Sequence, residues 1–248
     1  MYYGNKKKTI FLLVGCLVLF FALTFIQKDH ILDEKSVTNT SIIENEILAI
    51  EVDEETNALS LCDSQGFAFS IPFSSIPIYE DYLQEQSDRK VEIERTSFEL
   101  LPFNSSDGGK YGVLTYNCGV KLCSSLLVKL SNTFTSIELG YGMLMDMKQS
   151  PTLKSAVFRY GVNEGNVVLR NNMIPVNLEK MVLLNPVSKE LSNEYIEYAT
   201  WPITEYKWIS EQKISMRVAD VQDSEYDSLL TWSSGSKKTK EIEIELVE

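Results

Sequence analysis

The chain reads as mainly β, with an N-terminal transmembrane helix ahead of a β-rich extracytoplasmic domain. Three observations predict this. Residues 9–26 carry no charge. From Glu46 onward, short apolar runs alternate with turn residues. Two of those runs also match one another at a spacing of 44 residues.

The uncharged stretch, TIFLLVGCLVLFFALTFI from Thr9 to Ile26, covers about 27 Å as a helix, close to the thickness of a bilayer's hydrocarbon core. Lys6, Lys7 and Lys8 precede it, and positive residues beside a span stay cytoplasmic. The chain therefore divides into a cytoplasmic N-terminus (1–8), a transmembrane helix (9–26), a polar juxtamembrane linker (27–45) and an extracytoplasmic β-rich domain (46–248). A cleaved signal peptide is the rival reading. Its cleavage site should follow the apolar run, whereas Ala22-Leu23-Thr24 lies inside it. Leu13-Val14-Gly15-Cys16 resembles the lipobox of bacterial lipoproteins, which implies acylation of Cys16. The mostly apolar residues after it favour a membrane-embedded thiol instead.

Beyond residue 26 the chain holds 20 basic and 35 acidic residues, a formal charge of −15. Such a surface repels nucleic acid, which is excluded as a partner. It reads as a soluble, self-repelling face, or as one that attracts cations or cationic partners. Cys62, Cys118 and Cys123 are too few for a disulfide scaffold. Cys118 and Cys123 flank four residues between two apolar runs, so they can face each other across a hairpin end and form a disulfide.

The elements follow in order. EILAIEV and ALSLC, separated by Asp53 to Asn57, read as strand, turn and strand. Gly66 to Phe73 is a further strand, ended by Pro72 and Ser74-Ser75. Pro77 to Gln86 is the one helix expected, with proline in its first turn and acids close behind. KVEIERTSFEL alternates and reads as a strand. Ser106 to Tyr116 then matches Ser150 to Tyr160, with Lys110 against Lys154, Val113 against Val157, Leu114 against Phe158 and Tyr116 against Tyr160. Each is followed by a second apolar strand, Leu126 to Leu130 and Ile174 to Leu178. YKWISEQKISMRV, from Tyr206, pairs two more strands about a turn. Lys240 to Leu246 alternates strictly, with Ile242, Ile244 and Leu246 on one face and three glutamates on the other.

Periods of about 40–50 residues with several strands per unit mark propeller blades. Ser150-Pro151, Asp107-Gly108 and Asn177-Leu178 resemble parts of the turn and strand-end motifs of TolB-like and WD40-like blades. That resemblance covers residues 105–248 and implies a propeller. The expected architecture is propeller-like or stacked antiparallel sheets, with at most one short helix near 77–86.

The chemistry is defined largely by what is missing. His30 is the only histidine and sits in the polar linker, so histidine-based triads and HExxH zinc sites are excluded. Ser234-Gly235-Ser236-Lys237 resembles the serine–lysine motif of penicillin-recognising enzymes, but Lys238-Thr239-Lys240 lacks the glycine of their K-T-G partner and a surface turn explains it better. Asp107-Gly108-Gly109 is too short for a phosphate loop, and Asp53-Glu54-Glu55 lacks calcium-loop spacing. No catalytic residue, cofactor or metal ligand is assigned. Tyr195, Tyr198, Trp201, Tyr206 and Trp208 form the densest aromatic cluster, readable as a stacking platform for a sugar or peptide or as anchors in a β core. The function expected is a membrane-anchored binding or scaffold protein with a protein or cell-wall glycan partner. The alternative is a histidine-free, carboxylate-dependent envelope hydrolase acting on glycans.

Overall fold

Turn chemistry and the period-two pattern set up an antiparallel meander from the first described strand. The computed structural model describes residues 46–53, 57–62, 68–105, 108–191 and 194–248. The expected span, the linker, Cys16 and His30 lie outside them, and no helix among the described residues is long and apolar enough to cross a membrane.

Strands β1 (Glu46–Asp53), β2 (Ala58–Cys62) and β3 (Ala68–Pro72) pair antiparallel in sequence order. A 3-10 turn at Phe73–Ser75 leads into α1 (Pro77–Glu85), where proline's fixed φ suits the first helical position. Tyr79 and Leu83, four residues apart, bury one face of it. The next stretch departs from expectation. Arg89–Glu94 is a helix, α2, and only Ser97–Asn104 continues as strand β4. Asp88 accepts a hydrogen bond from the Val91 N–H at 3.2 Å and so caps α2. Over six residues an alternating pattern fits a capped helical turn as well as a strand, and the cap decides.

Strands β5 (Lys110–Tyr116), β6 (Cys123–Leu130), β7 (Thr135–Gln149), β8 (Ser155–Glu164), β9 (Val168–Asn177) and β10 (Val182–Leu183) complete a ten-stranded sheet. Its order is β10-β9-β8-β7-β6-β5-β4-β1-β2-β3. The fifteen-residue β7 is the joint. Its residues 135–142 pair with β6 and its residues 143–149 with β8. At the changeover Gly140 has φ +121°, a conformation L side chains rarely adopt.

The sheet folds over at this joint. Tyr111 and Val113 of β5 share one core with Leu139 of β7, Phe158 and Tyr160 of β8, and Val176 of β9. The Tyr111 hydroxyl donates across that core to the Leu178 carbonyl at 2.9 Å. The opposite face of β5, Leu114 and Tyr116, packs against β2, β3 and α1 through Leu59, Ile71 and Tyr79. Both faces of β5 are thus covered, and both faces of β8 as well. This is why their sequences read as near-continuous apolar runs and match each other.

A second sheet, ordered β11-β14-β13-β12, consists of β11 (Asn185–Val187), β12 (Ile203–Ser210), β13 (Lys213–Ala219) and β14 (Thr239–Val247). Ile242, Ile244 and Leu246 of β14 turn inward and meet Val157 of β8 and Met173 of β9. Glu241, Glu243 and Glu245 are exposed. Two short helices, α3 (Glu194–Glu197) and α4 (Tyr226–Ser234), flank this region.

The architecture is mainly β with stacked antiparallel sheets, and two expectations are corrected. There is no closed propeller. Blades pack face to face as separate sheets, whereas here β7 hydrogen-bonds to both matching units and joins them in one open sheet. Nor is the helix near 77–86 alone, since α2, α3 and α4 accompany it. The serine–lysine motif starts on the last residue of α4 and runs into an exposed turn.

Candidate functional site

The aromatic cluster does not assemble as one open platform. Tyr206 is buried at 1% exposure. Its hydroxyl shares its proton between Asp146 Oδ1 at 3.0 Å and the Val157 carbonyl at 3.2 Å. Arg159 forks onto the same Asp146 and donates to the Ile203 carbonyl at 2.6 Å. Lys148 donates to the Tyr206 carbonyl and lies 4.5 Å from its ring centroid. Burial first, and then the Asp146 carboxylate, push the Tyr206 pKa far up, so this phenol stays neutral. The network ties β7 and β8 to β12, which is a structural task. Trp208 donates from Nε1 to the Lys148 carbonyl at 3.0 Å and packs half-buried against the same core.

Trp201 is also core, packed with Val168, Ala219 and Leu229. Its carbonyl accepts the Asn171 N–H at 2.8 Å. The side chain of Tyr195 lies outside the described residues. Tyr198 alone stands out, at 68% exposure.

Tyr198 borders a groove of about 420 Å³ that the sequence did not point to. Gly140 and Tyr141 of β7, Asn172 to Pro175 of β9, the segment Leu183 to Pro186, and Glu197 to Ala199 build it. Its floor is apolar, formed by Leu139, Met173, Ile174 and Leu184. A Cβ on Gly140 would stand 3.1 Å from Ile174 Cδ1, so the glycine serves the bend and leaves room above that floor. Tyr141 is half exposed on the opposite wall from β9. Asn172 is buried, and its amide makes a long 3.5 Å contact to the Glu197 carbonyl. Among the described residues its Oδ1 has no hydrogen-bond partner. A buried oxygen left so carries a desolvation cost in the fold. The one sequence feature able to flag this site is Gly140-Tyr141-Gly142, two glycines inside a strand around an aromatic ring.

Beside the groove, Cys118 and Cys123 are disulfide-bonded across the end of the β5–β6 hairpin, with Cα atoms 4.1 Å apart. Asn117 takes φ 50° to start the turn, and the Gly119 N–H donates to the Leu122 carbonyl at 2.9 Å. Arg95 donates to the Cys118 carbonyl at 3.3 Å. A Cβ on Gly119 would lie 3.7 Å from the Tyr141 hydroxyl, so this closed loop shoulders one wall of the groove. Cys62 is exposed and takes no part in the disulfide.

A second, polar cleft of about 640 Å³ includes Lys154, Glu179, Glu211, Lys213 and Glu248. Burial pushes the Glu211 carboxyl up, but hydrogen bonds from Thr152, Ser150 and Ser155 outweigh it and hold the pKa below the usual range. Glu248 is lowered by its hydrogen bond from Lys180. These carboxylates are fixed as anions by neighbours within the fold. Among the described residues no group of three or more histidine, cysteine or acidic side chains is placed to hold a metal ion.

No protein-family model, curated protein or solved structure matches this chain.

Proposed function

We propose that the chain is a membrane-anchored, extracytoplasmic binding or scaffold protein and that the groove beside Tyr198 is its ligand site. One observation carries the reading. A mostly apolar groove of about 420 Å³ is bordered by two exposed tyrosines, Tyr141 and Tyr198. Ligand sites have this make-up, an apolar hollow with a few fixed polar groups. The uncharged run 9–26 behind three lysines supplies the anchor. A disulfide between Cys118 and Cys123 agrees with an oxidising compartment.

The alternative, a carboxylate-dependent hydrolase acting on envelope glycans, requires a carboxyl whose pKa is raised so that it can deliver a proton. Of the carboxylates that line the polar cleft, Glu211 and Glu248 are both pulled the other way.

A photo-crosslinking amino acid at position 198 of the full chain, expressed in its own membrane, tests the binding role. Illumination should give a discrete adduct from position 198 and none from Ile209, which is exposed on β12 of the other sheet. Identical behaviour at the two positions would remove the groove as the ligand site.

A further inference from the structure

Among the described residues, Tyr141 and Tyr198 are the only exposed aromatic side chains, and both border this one groove. The rest of the lining sets what can lie beside them. β9 gives an occupant no sheet edge to pair with. The Asn171 N–H bonds the Trp201 carbonyl, and the Pro175 carbonyl accepts the Leu184 N–H at 2.9 Å. β10 pairs with Val176 and Asn177. Met173 is 2% exposed and shares a core with Ile196, so α3 closes the edge there. What remains accessible is side chains: an apolar floor with Ile174 and Leu184, the two phenols, and the exposed Glu197. Among the described residues lining the groove, Glu197 is the one that carries a charge.

We infer that the occupant is a proline-rich segment of a partner protein, bound as a polyproline II helix with a Lys or Arg beside its prolines. This rests on the groove being a ligand site and names what it takes. Other peptides laid on the apolar floor would bury N–H groups that the closed edge cannot accept. Proline has no N–H to leave unpaired, and the carbonyls of a polyproline II helix bond to water or to hydroxyl donors such as the two phenols. Its rings pack on the tyrosines, as such segments do in other aromatic-lined grooves. Its shape is set before binding, so little ordering entropy is lost. Charge selects the flank, since Glu197 faces no base in the lining and the chain carries net −12. A sugar would also stack on the tyrosines, but an apolar floor leaves its hydroxyls without partners.

The full-length protein in detergent micelles, screened against an array of random capped nonapeptides and an array of oligosaccharides, tests this. Peptides with two or more prolines and an adjacent Lys or Arg should be retained. Changing one of those prolines to alanine should weaken binding about tenfold, while an N-alkylglycine, which also lacks the N–H, should preserve it. Tyr198→Ser should weaken the same peptides about tenfold, and the unfolding midpoint should stay unchanged because the ring is exposed. Glu197→Gln should remove the preference for a basic flank and keep the need for proline. Peptide capture that depends on Tyr198 and is indifferent to proline overturns the occupant and leaves the binding role standing. So does Tyr198-dependent capture of oligosaccharides without peptides. A preference for acidic flanks, or a basic preference untouched by Glu197→Gln, overturns the charge assignment and the inference with it. Capture of neither class, or capture insensitive to Tyr198→Ser, overturns both the occupant and the site.

Discussion

Phe158 and Leu114 show how much one position contributes to this fold. Both are fully buried, Leu114 in the core under α1 and Phe158 in the core enclosed where the sheet folds over. Each sits on a strand covered on both faces, so the surroundings cannot collapse into a deleted side chain. Phe158→Ala should cost about 3–5 kcal/mol and Leu114→Ala about 2–5 kcal/mol, read from urea unfolding of each variant. Near-wild-type midpoints for both would contradict the packing. Tyr206 carries a similar lesson in polar form. As a tyrosine near Trp208 it could be assigned to a surface platform, yet its hydroxyl serves Asp146 and Val157 inside the protein. Residue type could not separate those roles, because an exposed stacking ring and a buried ring with a satisfied hydroxyl have the same chemistry.

At the scale of elements, the hairpin of β5 and β6 is held by its disulfide as well as its ladder. The pairing runs from Lys110↔Leu130 to Tyr116↔Ser124, and the cysteines close it just beyond. The loop is short, so closing it removes little entropy from the unfolded chain. The double variant Cys118→Ser with Cys123→Ser should lose about 2 kcal/mol, the low end for a disulfide. Mass spectrometry of unreduced peptides should find the two cysteines linked. Alkylation of both without reduction, or a link from either to Cys62, would show this pairing to be wrong. The hairpin was legible because apolar runs on each side of a short polar loop specify strand and turn locally. α2 was not, because its fate turned on the single cap Asp88.

At the scale of the molecule, cross-sheet hydrogen bonds decide how the strands are stacked. Arg159 reaches both Asp146 and Ile203, and Arg170 donates to the Thr200 and Ser224 carbonyls at 2.8 and 2.7 Å. These bonds fasten the segment after β11 against β8 and β9 and so shape the groove's outer wall. If the tether proposed from residues 1–26 is correct, that groove faces outward. Protease added to cells stripped of their wall should then degrade residues 46–248. Their protection in intact cells, with digestion after lysis, would reverse the orientation.

What the sequence determined by itself was local. Apolar runs marked β5 and β6, two short runs about a turn marked the pair β12–β13, the strict alternation of β14 told which of its faces is buried, and Pro77 opened α1 where expected. Each of these depends on residues within a few positions of one another. Only the tertiary structure decided that β7 folds the sheet over, and that the two matching units are neighbours in one sheet rather than blades. It also brought Tyr141 to Tyr198 across Asn172 and set Tyr206 against Asp146. The physical reason is that burial and pairing belong to whatever covers a face. A strand's own side chains state that a face is apolar, and they do not state which distant strand will meet it.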